Sequence, residues 1–320
     1  MLRFLIKRLL GLIFVVIGVT FITFLMGYLS PDDPVTQLLG QHYTLPAYTQ
    51  IRHAYGLDQS WYQQYYRFLT GLFQLDFGLS YYYKGRPVWD ILKEGVPVSL
   101  ELGMWALLLQ LIIGVPLGIW SAVRANTWMD TTNMIGMLIL YAVPVFILAI
   151  VAQVVLVGLD ELFPQLNWPV ANWGTPWRYS WTDIQYKLIP ILLYAAAGIA
   201  YFVRLTRTSM LEVQNQDYIR TARAKGLPER VITFRHMFRN ALLPLVTVIG
   251  VSFGLLVAGA FFIERVFNIP GIAGITLNSI DTRDYPVIQA TTVVLAIAVV
   301  LGNLLSDILY TLVDPRIKTE

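Results

Sequence analysis

Apolar residues run along this chain in stretches too long for the buried face of a soluble helix, and charges punctuate these stretches rather than alternating with them. Counting between charged residues, the uninterrupted segments are 9–31, 102–123, 131–159, 188–203, 240–263 and 285–306. Crossing a hydrocarbon core of about 30 Å takes roughly 20 helical residues. Five of the six segments pass on length. The fourth, between Lys187 and Arg204, spans if Arg204 extends its guanidinium toward the headgroups. The pattern predicts an all-α polytopic membrane protein with six transmembrane helices.

Composition agrees. The 320 residues are 56% hydrophobic and 13% charged, against about 25% charged in soluble domains, and the mean hydropathy is +0.59. With no cysteine there are no disulfides or thiolate metal sites. Placement of the charges says more than the net +3. With a cytoplasmic N-terminus, the inside segments carry Arg3, Lys7, Arg8, Arg124, eight Arg/Lys between 204 and 239, Arg316 and Lys318, fourteen of the 23 in all. The other nine are spread over a much longer stretch of chain, so both termini are expected inside. The first apolar run exceeds a signal-peptide core and no Ala-x-Ala follows it, so a retained first span is expected.

Segment 32–98, expected outside, is too long for a turn and carries WYQQYYRFLTGLFQLDFGLSYYY at 61–83. Such rings favour the membrane–water boundary. An interfacial helical subdomain and a docking platform for an external partner are both consistent with it. Asp76-Phe77-Gly78 matches a kinase tripeptide by chance, since no partner motif accompanies it.

Several chemistries have no signature. There is no Gly-Lys dipeptide, hence no phosphate-binding loop, and His42, His53 and His236 are scattered. The spans instead hold Pro116, Pro144, Gly250, Gly254 and Gly259, with Gln110, Gln153, Thr247, Ser252 and Asn303. Close helix packing explains each singly; together they also suit the path of a polar solute. Glu101 and Asp307 lie near span ends.

The basic stretch 208–240 stands apart, with six Arg/Lys between 220 and 239. Residues 209–225 lack Pro and Gly and are mostly strong helix formers. Gly226 stands where a left-handed residue would close that helix, and Pro228 fits the first turn of the next. Val231, Phe234, Phe238 and Ala241 then predict one apolar stripe. A DNA-reading helix-turn-helix shares this grammar, but spans on both sides bar it from a groove, so no nucleic acid is expected. Attraction to anionic lipid explains the charge. A lever that docks into a cytoplasmic partner explains the charge and the Gly-Leu-Pro break together.

DYIRTARAKGLPERVITFRHMFRNALLP closely resembles the cytoplasmic-loop signature of permeases of the dipeptide/oligopeptide (peptide/nickel) ABC importer family. MLRFLIKRLL, PDDP at 31–34, GLDQSWYQQY, LDFGLS, TRTSMLEV, FNIPGIAG, RDYPVIQ and VDPRI extend the resemblance nearly end to end. In ABC importers generally this loop reads E-A-A, three residues, Gly, nine residues, I-x-L-P. Here Arg220, Thr221 and Ala222 occupy the E-A-A positions, and Pro244 lies 18 residues after Gly226 instead of thirteen. The peptide-permease branch shares both departures, and no acidic residue carries over at the first position.

The resemblance implies a non-enzymatic permease subunit in a bacterial or archaeal inner membrane, taking up di- or oligopeptides. Nickel and oligosaccharide are alternative solutes, and a membrane sensor or scaffold is the alternative of another class. Implied partners are a second permease, two ATPase subunits carrying ATP and magnesium, an extracytoplasmic solute-binding protein and the bilayer; no cofactor is expected in this chain. A coupling helix between the fourth and fifth spans would comprise Asp217, Tyr218, Arg220, Thr221, Ala222, Arg223, Ala224, Lys225 and Gly226. Asp76, Lys84 and Arg86 would face the solute-binding protein. The implied division is a first helix at 1–31, an external segment at 32–98, and a transporter domain at 99–320.

Overall fold

The computed structural model describes the chain except residues 1, 31–32, 40–42, 84, 166, 257–260 and 314–320. Pro31, Asp32, His42, Lys84, Gly259, Arg316 and Lys318 therefore lie outside the described residues. Among the described residues there is no strand, only a bridge between Leu79 and Pro87. Six helical stretches are long and apolar enough to cross a membrane: Leu10–Tyr28, Val88–Val123, Val145–Leu162, Trp181–Gln214, Glu229–Gly254 and Tyr285–Leu309.

The number of spans is as predicted, but four of them differ in extent. Segment 131–159 is not one helix. It is α6 (Trp128–Ala142) and α7 (Val145–Leu162), separated by Val143 and Pro144 in extended conformation. Proline crowds its predecessor out of the helical region and offers no N–H. The second and fourth spans run past the charges that were expected to bound them. Val88–Val123 (α5) contains Glu101, and Trp181–Gln214 (α8) contains Lys187. A buried ion pair removes the reason for either helix to stop there. The fifth ends at Leu255, before position 263, and Phe261–Val266 is a separate short helix.

The chain divides into two compact units. The first takes 1–98 and 270–298. It contains α1 (Leu2–Tyr28), α2 (Pro34–Leu39), α3 (Leu45–Ala54), α4 (Trp61–Phe73), the start of α5, and Ile272–Asp281. Tyr65 pins α4 to α1: its ring meets Phe21 and Phe24 at 5.4 and 5.3 Å, and its hydroxyl donates to the Ile17 carbonyl at 3.2 Å. Phe77, Val88, Leu92, Ile272, Val287 and Ala290 form the buried cluster of this unit.

The second unit takes 99–269 and 299–320. One cluster packs Leu107 and Phe202 with Leu256. Helix Tyr285–Val313 crosses Arg239–Leu255 at two glycines, where a Cβ on Gly302 would fall 2.3 Å from the Gly254 Cα. Only hydrogen side chains permit that approach.

Candidate functional site

The basic stretch does not hold one helix over 209–225. Helix α8 stops at Gln214 and Gln216 turns extended (φ −75, ψ 147). A separate eight-residue helix, α9, then runs Asp217–Ala224. So short a helix is marginal alone, and packing holds it. Ile219 and Ala222, three residues apart on one face, are buried against Ile119, Ala122, Met210, Ile232, Met237 and Ala241. The break after Gln214 lets α9 turn this face to the cluster.

Gly226 closes α9 as the sequence predicts. Its φ is +72, its N–H donates to the Arg223 carbonyl at 2.9 Å, and the Leu227 N–H reaches the Ala222 carbonyl at 3.4 Å. This paired closure is the Schellman arrangement. Pro228 sits one place earlier than predicted, capping Glu229–Val231. Residues Ile232–Phe238 then form a π-helix, and this takes Phe234 out of the predicted stripe, although Ala241 is buried in the cluster and Phe238 packs against it. Phe234 is exposed, while Ile232, Thr233 and Met237 are buried. The extra residue per π-turn rotates the buried face away from the α-helical spacing.

Of the sequence-predicted coupling residues, Asp217, Tyr218, Arg220, Thr221, Arg223, Ala224, Lys225 and Gly226 are exposed. Ala222 is the inward anchor. Arg220 pairs with Asp217 at 3.4 Å and Arg223 with Glu229 at 3.0 Å. Exposed pairs of this kind contribute at most about 1 kcal/mol, so both arginines can exchange partners cheaply.

The helix that leads into α9 also carries a buried ionic contact. Asp130, in the first turn of α6, accepts from Arg207 on both oxygens, from the Asn126 N–H at 3.0 Å and from the Ser121 hydroxyl. Arg207, with the Ser121 and Asn126 bonds, holds the Asp130 carboxyl well below the usual carboxylate range.

The aromatic segment places its predicted residues differently from one another. Asp76 is exposed, one oxygen accepting from the Gly78 N–H at 3.0 Å. Arg86 is already paired with Glu94 at 2.6 Å, and Lys84 lies outside the described residues. Phe73 is 91% exposed, and Trp61, Tyr62, Tyr66, Tyr82 and Tyr83 are exposed with it.

Two polar centres escaped sequence reasoning. Asp284 is buried and binds the Tyr81 and Tyr82 N–H groups at 3.0 and 3.3 Å, and the Ser80 hydroxyl. Glu101 is buried with Lys187 at 2.8 Å. The lysine also donates to the carbonyls of Thr175 and Arg178 at 2.8 Å each. The Trp173 indole and the Trp177 N–H donate to Glu101 at 2.9 and 3.0 Å.

Known proteins resemble this chain along nearly its whole length. Residues 114–319 match the family described as binding-protein-dependent transport system inner membrane component. Residues 1–103 match the corresponding N-terminal family. The chain is 36% identical to the oligopeptide transport system permease protein AppB of Bacillus subtilis, covering 99% of this chain and 100% of the relative. It is 35% identical to the dipeptide transport system permease protein DppB of Escherichia coli, over 99% of both. The glutathione transport system permease protein GsiC of Escherichia coli is 35% identical, again over 99% of both.

Proposed function

The chain belongs to the family of binding-protein-dependent transport system inner membrane components, and on that premise we propose that it is a permease subunit of an ATP-driven importer of peptides. The permease itself does not hydrolyse ATP; two ATPase subunits do so, a second permease completes the path, and a solute-binding protein delivers the peptide. Both termini and the 208–240 loop face the ATPase side, in a bacterial or archaeal inner membrane.

The observation that carries this reading is α9. Its apolar face is fixed by Ile219 and Ala222, and its polar face, including Arg220, Thr221 and Lys225, is exposed and closed by Gly226. A short helix held from behind and bare in front transmits force from a partner seated on it. The 32–98 segment, with Asp76, Lys84 and Arg86 in its sequence, receives the binding protein; its exposed aromatics, Phe73 among them, are the composition such interfaces favour.

A cysteine at Thr221, in a chain with none of its own, tests the ATPase contact. In the assembled importer it should be protected from thiol reagents, and stripping the ATPase subunits should restore labelling. Equal labelling in both preparations would remove α9 from that interface.

A further inference from the structure

The first unit contains a cavity of about 490 Å³, within the roughly 300–1,000 Å³ of small-molecule sites. Its wall is built from α1, α3, α4, the loop at 76–81 and the start of the last helix. Two guanidinium groups, Arg52 and Arg67, border it. Neither forms an ion pair or side-chain hydrogen bond among the described residues.

Two carboxylates border the same cavity, Asp33 and Asp76. Asp33 is spent on the fold: one oxygen accepts from the Val35 N–H at 3.0 Å and the other from the Tyr48 hydroxyl at 2.7 Å. Asp76 uses one oxygen for the Gly78 N–H and keeps the second. Thus the wall offers two uncommitted cations and one half-committed anion. Phenols at Tyr28, Tyr48, Tyr55, Tyr81 and Tyr285 make up much of the remainder, with ring faces that accept varied side chains and hydroxyls that accept polar ones.

This pattern selects among anions. A phosphate dianion would gain from the arginines but face the two aspartates. A molecule that is anionic at one end and cationic at the other meets complementary charge at both. Arginine also forks onto a carboxylate with two parallel hydrogen bonds.

We propose that this cavity binds a short zwitterionic peptide, its C-terminal carboxylate on Arg52 and Arg67 and its ammonium end toward Asp76. The proposal rests on the peptide reading above and gives the permease a substrate contact of its own.

The test uses the complete membrane complex in lipid nanodiscs, without its binding protein, and measures binding of triglycine and triglycinamide by saturation-transfer NMR. Triglycine should bind at least ~10-fold more tightly than the amide. The double variant R52Q/R67Q should erase that difference, and R52K/R67K should retain part of it. Equal affinity for acid and amide, or a contrast that survives R52Q/R67Q, overturns the proposal. So does a double variant that loses docking of the peptide-free binding protein yet keeps the contrast, because the carboxylate would then be an acidic side chain of that protein. ATP-driven triglycine uptake by the full complex is read in parallel. Uptake without the contrast overturns the cavity alone, whereas no peptide uptake and no contrast overturn both readings.

Discussion

Arg207 grips Asp130 with two hydrogen bonds of 2.7 Å, one from Nε and one from Nη2. The contact ties the first turn of α6 to the last third of α8, the helix that leads into α9. The helix that leads into α9 is therefore anchored to α6 rather than left as a loose end.

Breaking that pair should be costly. Asp130→Asn leaves Arg207, 22% exposed, without its counter-charge, and the loss should approach about 3 kcal/mol, the low end for a buried pair. The pH dependence has a definite sign. The folded-state value of Asp130 lies below the ordinary one near ~3.9, so its stabilisation is complete above that pH and shrinks as pH falls below it. Thermal unfolding of wild type and D130N should differ most at neutral pH, and the gap should narrow steadily as pH falls below about 4. A gap that is constant across that range would show that charge is not what Asp130 contributes.

The second buried pair predicts a sharper asymmetry. Glu101→Gln keeps an acceptor for Trp173 and Trp177 but strands the Lys187 ammonium, which is 3% exposed. The expected loss is about 3–5 kcal/mol. Glu101→Gln with Lys187→Met should recover a large part of it, because no uncompensated charge remains. Detergent-solubilised unfolding midpoints decide this: a double variant no more stable than E101Q would mean that Lys187 acts through its carbonyl contacts alone.

How legible these features were depended on distance along the chain. Apolar length marked six spans, and Gly226 could be read as a helix closure, because both signals are local. The Pro144 break was visible as a residue but not as a break, since Pro116, Pro190 and Pro244 lie inside helices and nothing local separates the cases. The stripe from Val231 to Ala241 assumed α spacing, which the π-helix at Ile232–Phe238 does not keep, so Ile232, Thr233 and Met237 are buried while Phe234 is not. Glu101 and Lys187 are 86 positions apart, and Ser80 and Asp284 are 204 apart. No spacing rule connects residues at such separations.

Orientation can be read directly from single cysteines. Gln216 and Tyr82 are both exposed. A cysteine at 216 should react only with reagents that reach the cytoplasm, and one at 82 with impermeant external reagents. Labelling of both from one side would rule out the proposed topology.

The anchor of α9 should matter more than its charges. Ile219 is fully buried, and Ile219→Ala removes contacts that a helix of eight residues cannot replace, at a cost of about 2–5 kcal/mol. The loss should be local. Trypsin should then cleave faster at Arg220, Arg223 and Lys225, while the spans stay intact. Arg220→Ala should leave cleavage at Arg223 and Lys225 unchanged, because exposed substitutions shift stability by only about 0.5 kcal/mol.

Gly226 separates backbone geometry from packing. A Cβ added there would meet nothing within 4 Å, so steric crowding is not the obstacle. The obstacle is φ +72, which costs an L-residue roughly 1–2 kcal/mol and is worst for a β-branched one. Gly226→Val should therefore abandon the closure made by the Arg223 and Ala222 carbonyls, and Pro228 would start the next helix in a different direction. Insertion and pairing with the second permease should be normal, because no span is touched. ATP-driven uptake should fall, through weak ATPase docking or through hydrolysis that ignores the loaded binding protein. Gly226→Asn should be far milder, since Asn enters the left-handed region at low cost. Transport per bound ATPase, compared across the three reconstituted complexes, reads the difference. If Val and Asn transport alike and normally, α9 does not need its closure to carry force, and the lever reading fails.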